Sequence, residues 1–460
     1  MENQTNQTDF TIGLFSCTYI MKKLSEHVSQ LLEKGDTETL DAFILVDIYR
    51  FAYINNIYGF KTGDDLLKSV GKTIKRILKS TDIIDRVNAD TFGIILTNLC
   101  DKKDVIEFIN KLKTELKRPF EVNGNIITVS VQIGIMLIPQ VNHSSEQGIT
   151  AEEVYTNADV ALSEAKKGPE WNYVFFNDEL KAKTMKFLHY KALLEKAFDE
   201  DEFLLYYQPY FYTNDLCIAG FEALTRWKSK KHGHIPPMHF IPILEETGLI
   251  MKLETWMINQ ICKDLKRINN TKFATNKMMP ASINISPISF KHEDIYEKIT
   301  KIISWHKNRD KSTERDVLNQ INIEITESTL LEDTNKIITT LEKLKSFGFR
   351  ISIDDFGTGY SSFSYLKDLP IAYLKIDISF VRHILNDKKS RSITKSIIDL
   401  AHNLEMKTIA EGVETKEQFE LLKSLGCDII QGFWLAKPIP IDELINFIEK
   451  WEEEKEKYLQ

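Results

Sequence analysis

Between residues 203 and 431 short apolar runs recur, and each closes on a carboxylate, an amide or a lysine. They read Phe203-Leu-Leu-Tyr-Tyr-Gln208, Cys217-Ile-Ala-Gly-Phe-Glu222, Ala281-Ser-Ile-Asn284, Ile321-Asn-Ile-Glu324, Ile351-Ser-Ile-Asp354-Asp355, Ala372-Tyr-Leu-Lys375, Thr408-Ile-Ala-Glu411 and Asp428-Ile-Ile-Gln431. Seven of the eight are separated by segments of helical periodicity, at spacings of roughly 20 to 60 residues, and this predicts successive βα units of a barrel. In such a barrel the C-terminal strand ends converge on one mouth. Residues far apart in sequence would then meet as a cluster of acids with one lysine. Like charges at that density need positive charge among them, and divalent metal is the obvious candidate.

The first 178 residues follow another rhythm. Phe43-Ile-Leu-Val-Asp47 predicts a strand, and the stretch from Thr62 has apolar residues at helical spacing. Ile83-Ile-Asp-Arg-Val and Phe92-Gly-Ile-Ile-Leu predict a hairpin around Asn88-Ala89-Asp90-Thr91. Helices are expected over Val105–Leu116 and Ala151–Lys167, with one long strand over Ile126–Ile138. Strands mixed with helices indicate an α/β sandwich. Residues 179–200 are rich in Lys, Leu, Ala and Glu without Gly or Pro, so they should form a helical linker. The expected domains are therefore 1–178, a linker 179–200 and a barrel within 201–460. The tail Glu443–Lys457 reads as an amphipathic helix with a solvated terminus.

Composition narrows the class. Of 460 residues, 43% are hydrophobic and 27% charged, as in ordinary globular proteins. No apolar stretch approaches the 18 residues of a membrane span, and the polar N-terminus lacks a signal peptide. Nothing before Asp9 reads as a sensory domain, so the chain could be part of a longer one. The five cysteines, with no CxxC, predict reduced and mostly buried thiols in a cytoplasmic protein. A net charge of −8 argues against nucleic-acid binding, but a phosphate ligand remains compatible if metals supply local positive charge.

A single acid at a strand end is usually a solvated cap, but several in one mouth leave little room for that reading, because unpaired buried acids are prohibitive without cations. Glu414 fits an ordinary helix-start acid. His232 and His234 fit surface polarity, and Cys262 fits the apolar face of a helix.

The motifs Tyr206-Tyr-Gln-Pro209, Phe221-Glu-Ala-Leu-Thr-Arg-Trp227, Ile283-Asn-Ile-Ser286, Glu324-Ile-Thr-Glu327, Ile353-Asp-Asp-Phe-Gly-Thr-Gly-Tyr-Ser-Ser362, Leu374-Lys-Ile-Asp377, Ala410-Glu-Gly-Val-Glu414 and Gln431-Gly-Phe-Trp434 resemble the EAL domain over about 250 residues. The resemblance implies a modified TIM (β/α)8 barrel with an antiparallel first strand. It implies hydrolysis of cyclic di-GMP to linear pGpG with two divalent ions, Mg²⁺ or Mn²⁺. Glu222, Asn284, Glu324 and Asp354 are implied as ligands of one metal, with Asp354 bridging and Asp355 and Glu411 serving the second. Lys375 is implied to hydrogen-bond the attacking water and to stabilise transition-state charge, and Gln431 to position that water. Glu327 is implied to pin the loop that follows Asp355, where Gly357 and Gly359 permit sharp turns and where dimer contacts form. Gln208, Pro209, Leu224, Arg226, Asp377 and Pro438 match dinucleotide contacts. Independently of the resemblance, phosphodiester hydrolysis needs a hydroxide at neutral pH and neutralised phosphoryl charge, which two metals about 4 Å apart supply. The all-oxygen donor set suits Mg²⁺ or Mn²⁺.

Ahead of the barrel, Asp9-Phe-Thr-Ile-Gly-Leu14, Leu45-Val-Asp-Ile-Tyr-Arg-Phe51, Ile54-Asn-Asn-Ile-Tyr-Gly59, Thr62-Gly-Asp-Asp-Leu66 and Ala158-Asp-Val-Ala-Leu-Ser-Glu-Ala-Lys-Lys-Gly168 resemble the GGDEF domain, whose intact members condense two GTP into cyclic di-GMP. This chain departs from that signature. Asn88-Ala89-Asp90-Thr91-Phe92 stands where Gly-Gly-Asp/Glu-Glu-Phe is expected, and a Cβ there crowds the approach of phosphate to backbone. Ala52 and Glu170 stand at phosphate-binding basic positions. Lys79 replaces the arginine of the inhibitory Arg-x-x-Asp pattern, although Asp82 remains. Asp47 and Asp90 match metal-side acids, and Asn55 and Asp64 match guanine contacts. The domain is thus expected to make no cyclic di-GMP. Either it binds GTP and tunes the barrel, or it serves dimerisation and folding alone. A homodimer is expected in both cases. For the barrel, the rival reading is a non-catalytic cyclic di-GMP receptor. Loss of Glu222, Glu324 or Lys375 would have favoured that rival, and all three are present.

Overall fold

The computed structural model describes residues 8–9, 14–15, 17–34, 40–138, 149–271, 279–291, 295–309, 320–331, 334–357 and 366–459. They form two compact units, residues 1–188 and 189–460. The loop after Gly357, including Gly359 and Ser362, lies outside the described residues.

The first unit is built on a five-stranded sheet: β1 (Leu40–Ile48), β2 (Ile83–Arg86), β3 (Thr91–Leu99), β4 (Val131–Ile138) and β5 (Tyr173–Phe175), in the order β2-β3-β1-β4-β5. β1 is central and buried on both faces. Ala42, Ile44 and Val46 pack with Leu66, Val70 and Ile109 on one side, and Phe43 and Leu45 pack with Ile20, Leu24 and Leu162 on the other. A strand covered twice loses its hydrophobic alternation, and this is why Phe43–Val46 is a continuous apolar run. The expected single strand over Ile126–Ile138 is in fact two. Asn125–Ile127 turns back onto Phe120–Val122 through Asn123 and Gly124, both at positive φ, and β4 starts only at Val131. An Asn-Gly pair is the strongest short hairpin signal and overrides the continuity of the apolar run. The helix expected between the domains spans Asp178–Ala197.

The second unit is a closed barrel. Its strands are β6 (Phe203–Tyr212), β7 (Ile218–Ser229), β8 (Ala281–Asn284), β9 (Ile321–Thr326), β10 (Arg350–Phe356), β11 (Tyr373–Ile376), β12 (Lys407–Ala410) and β13 (Ile429–Gln431). Neighbours from β7 to β13 are parallel, while β6 is antiparallel to both β7 and β13 and closes the ring. This inverted strand alters one expectation. Gln208 and Glu222 do not end their strands. They are paired mid-strand, and β6 and β7 run past them for several residues.

Two further expectations are corrected. The C-terminal helix Ile441–Glu454 is not a solvated terminus: Leu444, Ile448 and Trp451 are buried in the barrel core, and the Trp451 indole donates to the Leu216 carbonyl at 2.7 Å. Leu444, Ile448 and Trp451 recur at helical spacing among acidic residues, so the charge of the tail masked its apolar stripe. Of the four cysteines whose side chains are described, Cys262 and Cys427 are buried, Cys217 is half-buried and Cys100 is exposed. Among the described residues no helix is long and apolar enough to cross a membrane.

Candidate active site

The barrel geometry fixes which side chains meet. Successive residues of a strand point to opposite faces, so residues two apart point the same way at successive depths. One layer holds Glu222, Asn284, Glu324, Asp354 and Lys375. Two residues earlier on the same strands lie Gly220, Ser282, Asn322, Ser352 and Tyr373, which make a floor beneath it. On the inverted strand Tyr210 belongs to that floor and Gln208 to the layer above. The Tyr210 hydroxyl lies 3.3 Å from Ser282 Oγ and accepts from Asn322 Nδ2 at 3.2 Å. Gly220 makes room for it, since a Cβ there would lie 2.3 Å from that hydroxyl. The floor is polar on this side only: on the other, Tyr210 and Tyr373 pack with Ile409 and Ile429, two residues before Glu411 and Gln431.

Lys375, on β11, is 1% exposed and sits among four carboxylates. Its Nζ is 2.6 Å from Glu411 Oε1, 2.7 Å from Glu324 Oε2, 3.1 Å from Asp354 Oδ1 and 3.5 Å from Glu222 Oε2. Amides orient the acids further. Asn284 Nδ2 donates to Glu222 Oε1 at 2.8 Å, which leaves the Asn284 carbonyl oxygen free as a ligand. Gln431 Nε2 donates to Glu222 Oε2 at 2.7 Å and to Gln208 Oε1 at 3.2 Å. Asp355, at φ 54°, is a non-glycine residue held in the left-handed region, a strain typical of functional sites. That turn gathers oxygens of Asp354, Asp355 and Glu411 within 4.8 Å of one another.

The electrostatics are unbalanced. Burial, with the neighbouring Glu222 and Asp354 carboxylates, pushes Glu324 up to about 8 against the pull of Lys375. Burial also drives Glu411 well above the usual carboxylate range. Partial burial together with Asp354 and Asp377 lifts Asp355 to about 6. Burial opposes ionisation of Glu222 as well, but there the Lys375 ammonium and the Gln431 and Asn284 amides prevail and its value falls. Lys375 itself is raised, because four carboxylates outweigh the burial that would lower it. Five carboxylates face one ammonium, so the cluster is short of cations. Among the described residues one buried carboxylate oxygen, Glu324 Oε1, has no hydrogen-bond partner, and neither has Gln431 Oε1. An all-oxygen donor set with an orphaned carboxylate oxygen fits hard divalent cations such as Mg²⁺ or Mn²⁺.

Around the cluster, Gln208, Glu222, Leu224, Asp354, Glu411 and Gln431 line a cleft completed by Ile378, Glu414 and Phe433. Arg226 lies outside this cleft, with its guanidinium 5.6 Å from the Tyr206 ring centroid, and lines an adjoining cavity that shares Leu224. Asp377 caps the helix Ile378–His383 by accepting from Ser379 N. Pro209 is buried, and Pro438 is half-buried beyond the cleft lining. Glu327, 3% exposed, accepts from Gly357 N at 2.9 Å. Glu414 is exposed just ahead of the Thr415 helix cap, although it reaches the cleft. His232 and His234 are exposed, and Cys262 is core.

In the first unit the acid pair is differently furnished. Asp47 Oδ2 accepts from Thr91 Oγ1 at 2.8 Å and from Lys166 Nζ at 2.7 Å. Asp90 is raised by partial burial and by Asp47. The Arg86 guanidinium fastens the turn between β2 and β3 through the carbonyls of Asn88 (2.9 Å) and Ala89 (2.6 Å). The Asn55 side-chain oxygen is packed on Gly63, where a Cβ would approach it to 1.9 Å, and Asp64 is half-buried in the next helix. Asp82 is engaged by the backbone amides of Lys79 and Thr97.

Comparison with known proteins agrees with this geometry. The family model described as "EAL domain" matches residues 192–438, more than half of the chain. This protein belongs to the EAL family. Residues 7–170 match "Diguanylate cyclase, GGDEF domain", so the EAL barrel follows a GGDEF domain. The bifunctional diguanylate cyclase/cyclic di-GMP phosphodiesterase MucR of Pseudomonas aeruginosa is 32% identical over 404 residues, covering 88% of this chain and 56% of MucR. The cyclic di-GMP phosphodiesterase NbdA of the same organism is 29% identical over 455 residues, covering 97% and 54%. This chain thus spans about half the length of the curated relatives it matches. Among solved structures, the MucR phosphodiesterase in complex with c-di-GMP matches at TM-score 0.51 and 36% identity, over 56% of this chain and 99% of that one. The EAL enzyme Bd1971, bound to cAMP and cyclic di-GMP, matches at TM-score 0.55 and 25% identity, over 90% of this chain and 96% of that one.

Sequence reasoning missed the polar floor and a second pair of acids behind Asn284, the buried Glu254 and the half-buried Glu245. A signal for Glu254 was present. It falls on the apolar stripe Ile250, Leu253, Met257, Ile258, Ile261 of one helix, where an acid is out of place.

Proposed function

We propose that this chain hydrolyses cyclic di-GMP to linear pGpG at the barrel mouth. The observation that carries this reading is Lys375, buried against four carboxylates with a fifth beside them and one carboxylate oxygen unpartnered. Glu222, Asn284, Glu324 and Asp354 would hold one divalent ion, and Asp354, Asp355 and Glu411 a second. Bound there, the two ions supply charge for the phosphoryl oxygens and acidify a water. Lys375 holds that water and offsets negative charge as the P–O bond to the leaving hydroxyl breaks. Gln431, fixed by Glu222 and Gln208, orients the water. Glu327 holds the backbone after Asp355 through Gly357. Leu224, Arg226, Asp377, Gln208, Pro209 and Pro438 receive the dinucleotide. The curated relatives and the c-di-GMP complex support this substrate class.

The reading extends to the GGDEF domain, which synthesises no cyclic di-GMP and acts as a regulatory or dimerisation module. Its support is the Asn88-Ala89 pair in place of two glycines and the Thr91 hydroxyl, donated to Asp47, in place of a carboxylate. The test is incubation of the full chain with cyclic di-GMP and Mg²⁺ or Mn²⁺, with and without GTP. Linear pGpG is the expected product. No turnover with either metal overturns the barrel reading, and cyclic di-GMP formed from GTP overturns the other.

A further inference from the structure

Glu327 and Glu254 are the same device used twice. Glu327 is a buried acid that accepts the backbone N–H of Gly357, two residues beyond Asp355. Glu254 is a buried acid that accepts the backbone N–H of Ser286 at 2.9 Å, two residues beyond Asn284. Its other oxygen accepts from Ser289 Oγ at 2.7 Å, while Ser286 Oγ donates to Glu245 at 2.7 Å. The turn after β8 is thereby clamped to two helices, Pro237–Glu246 and Ile250–Asn269. On its other side Ile285 N donates to the Glu324 carbonyl at 3.0 Å, so the turn also touches the strand of a second ligand candidate.

Burying a carboxylate on an apolar helix stripe is costly unless its oxygens are satisfied. Here both are satisfied, by the short turn that follows Asn284 and the first turn of the helix Pro287–Lys291 that it opens. Among the described residues the Asn284 amide is anchored by Glu222 alone, so its orientation depends on where the turn holds its backbone. Resting on the metal-site reading above, we infer that Glu254 is a positioning residue that sets the Asn284 ligand, as Glu327 does for Asp355. Partners behind a ligand typically govern metal affinity by 10- to 100-fold.

The experiment titrates MnCl₂ into the full-length, chelator-stripped chain, following binding by calorimetry and the metal-induced rise in melting temperature. Four proteins are compared: wild type, Glu254→Ala, Glu254→Gln and Asp264→Asn. Asp264 is the control, a second buried acid of the same helix that serves the Tyr207 hydroxyl at 2.7 Å and no ligand candidate. Glu254→Ala should weaken Mn²⁺ binding about 10-fold or more, and Glu254→Gln, which keeps one acceptor, should fall between it and wild type. Asp264→Asn should lower the metal-free melting temperature and leave Mn²⁺ affinity at the wild-type value. No Mn²⁺ binding by wild type defeats the metal-site reading itself. Wild-type affinity in Glu254→Ala, or an equal loss in Asp264→Asn, overturns the inference. If Glu254→Ala does not fold, Glu254→Gln decides, and affinity equal to wild type in that variant overturns it.

Discussion

The barrel and the GGDEF domain each bury acids beside a lysine, and they end in opposite states. At the barrel mouth five carboxylates face the single Lys375 ammonium, several acids are pushed up by burial, and Glu324 keeps an oxygen without a partner. In the GGDEF domain Asp47 receives both a lysine and a hydroxyl, and only Asp90 remains beside it. The first cluster is deeply short of positive charge, while the second is nearly neutral as it stands. A lysine beside acids therefore says little about metal. The excess of carboxylates over cations, together with an unsatisfied oxygen, is what marks a site that still needs an ion.

The harshest test of this contrast removes each lysine. Lys375→Ala should lower cyclic di-GMP hydrolysis at least about 100-fold, the scale of losing a transition-state charge donor. Lys166→Ala should change hydrolysis less than about twofold, measured without GTP, because its ammonium pairs with Asp47 and with no acid of the barrel mouth. Comparable losses in both variants would erase the distinction. A smaller but still large effect comes from chelation. Ions at about 100 times their dissociation constant contribute about 2.7 kcal/mol, so stripping metal should lower the barrel's melting temperature by several degrees. In Asp354→Asn chelation should have little effect. An unchanged wild-type transition in excess chelator would count against the charge argument.

A third, more modest test adds to the second site what it lacks. Thr91→Glu removes the hydroxyl donated to Asp47 and places a third carboxylate beside Asp47 and Asp90. Without metal the variant should be less stable than wild type by about 1–3 kcal/mol, and Mn²⁺ should recover part of that loss. If Mn²⁺ stabilises Thr91→Glu no more than wild type, carboxylate excess is not what separates the two regions.

Much of this was readable from the chain. The eight barrel runs were visible because a strand covered by helices outside, with its site residue turned inward, leaves a short apolar run closed by an acid, an amide or a lysine. Ser282, Asn322 and Ser352 sat in those same runs, but their alternation with isoleucine resembled ordinary strand polarity. Only closure of the ring shows that they face one another beneath the site. The inversion of β6 was not legible from the pattern either, since a strand reads alike in both directions. The Asn123-Gly124 turn was legible but was outweighed by the length of the apolar run after it. Glu254 needed the opposite habit, which is to take an acid on an apolar stripe as a question about what it holds.

What stands behind the ligands gives the smallest expected difference. Asp47 is backed by donors, Thr91 and Lys166, while the turn that carries Asn284 is backed by a carboxyl group. Burial, reinforced by the facing Glu245, lifts Glu254 from 4.5 to about 7, although Ser289 and Ser286 N–H pull the other way. The folded chain thus keeps a proton on Glu254 that the unfolded chain gives up above about pH 4.5. Between there and pH 7 the unfolded state binds fewer protons, so this group's contribution to stability falls as pH rises and levels off above pH 7. In Glu254→Gln that slope is removed. The difference in melting temperature between wild type and Glu254→Gln, followed in chelator from pH 4.5 to 8, should therefore change steadily up to about pH 7 and then stay flat. A constant difference across the range would mean that Glu254 is already ionised at the acid end, and the turn behind Asn284 would then be held by a permanent charge.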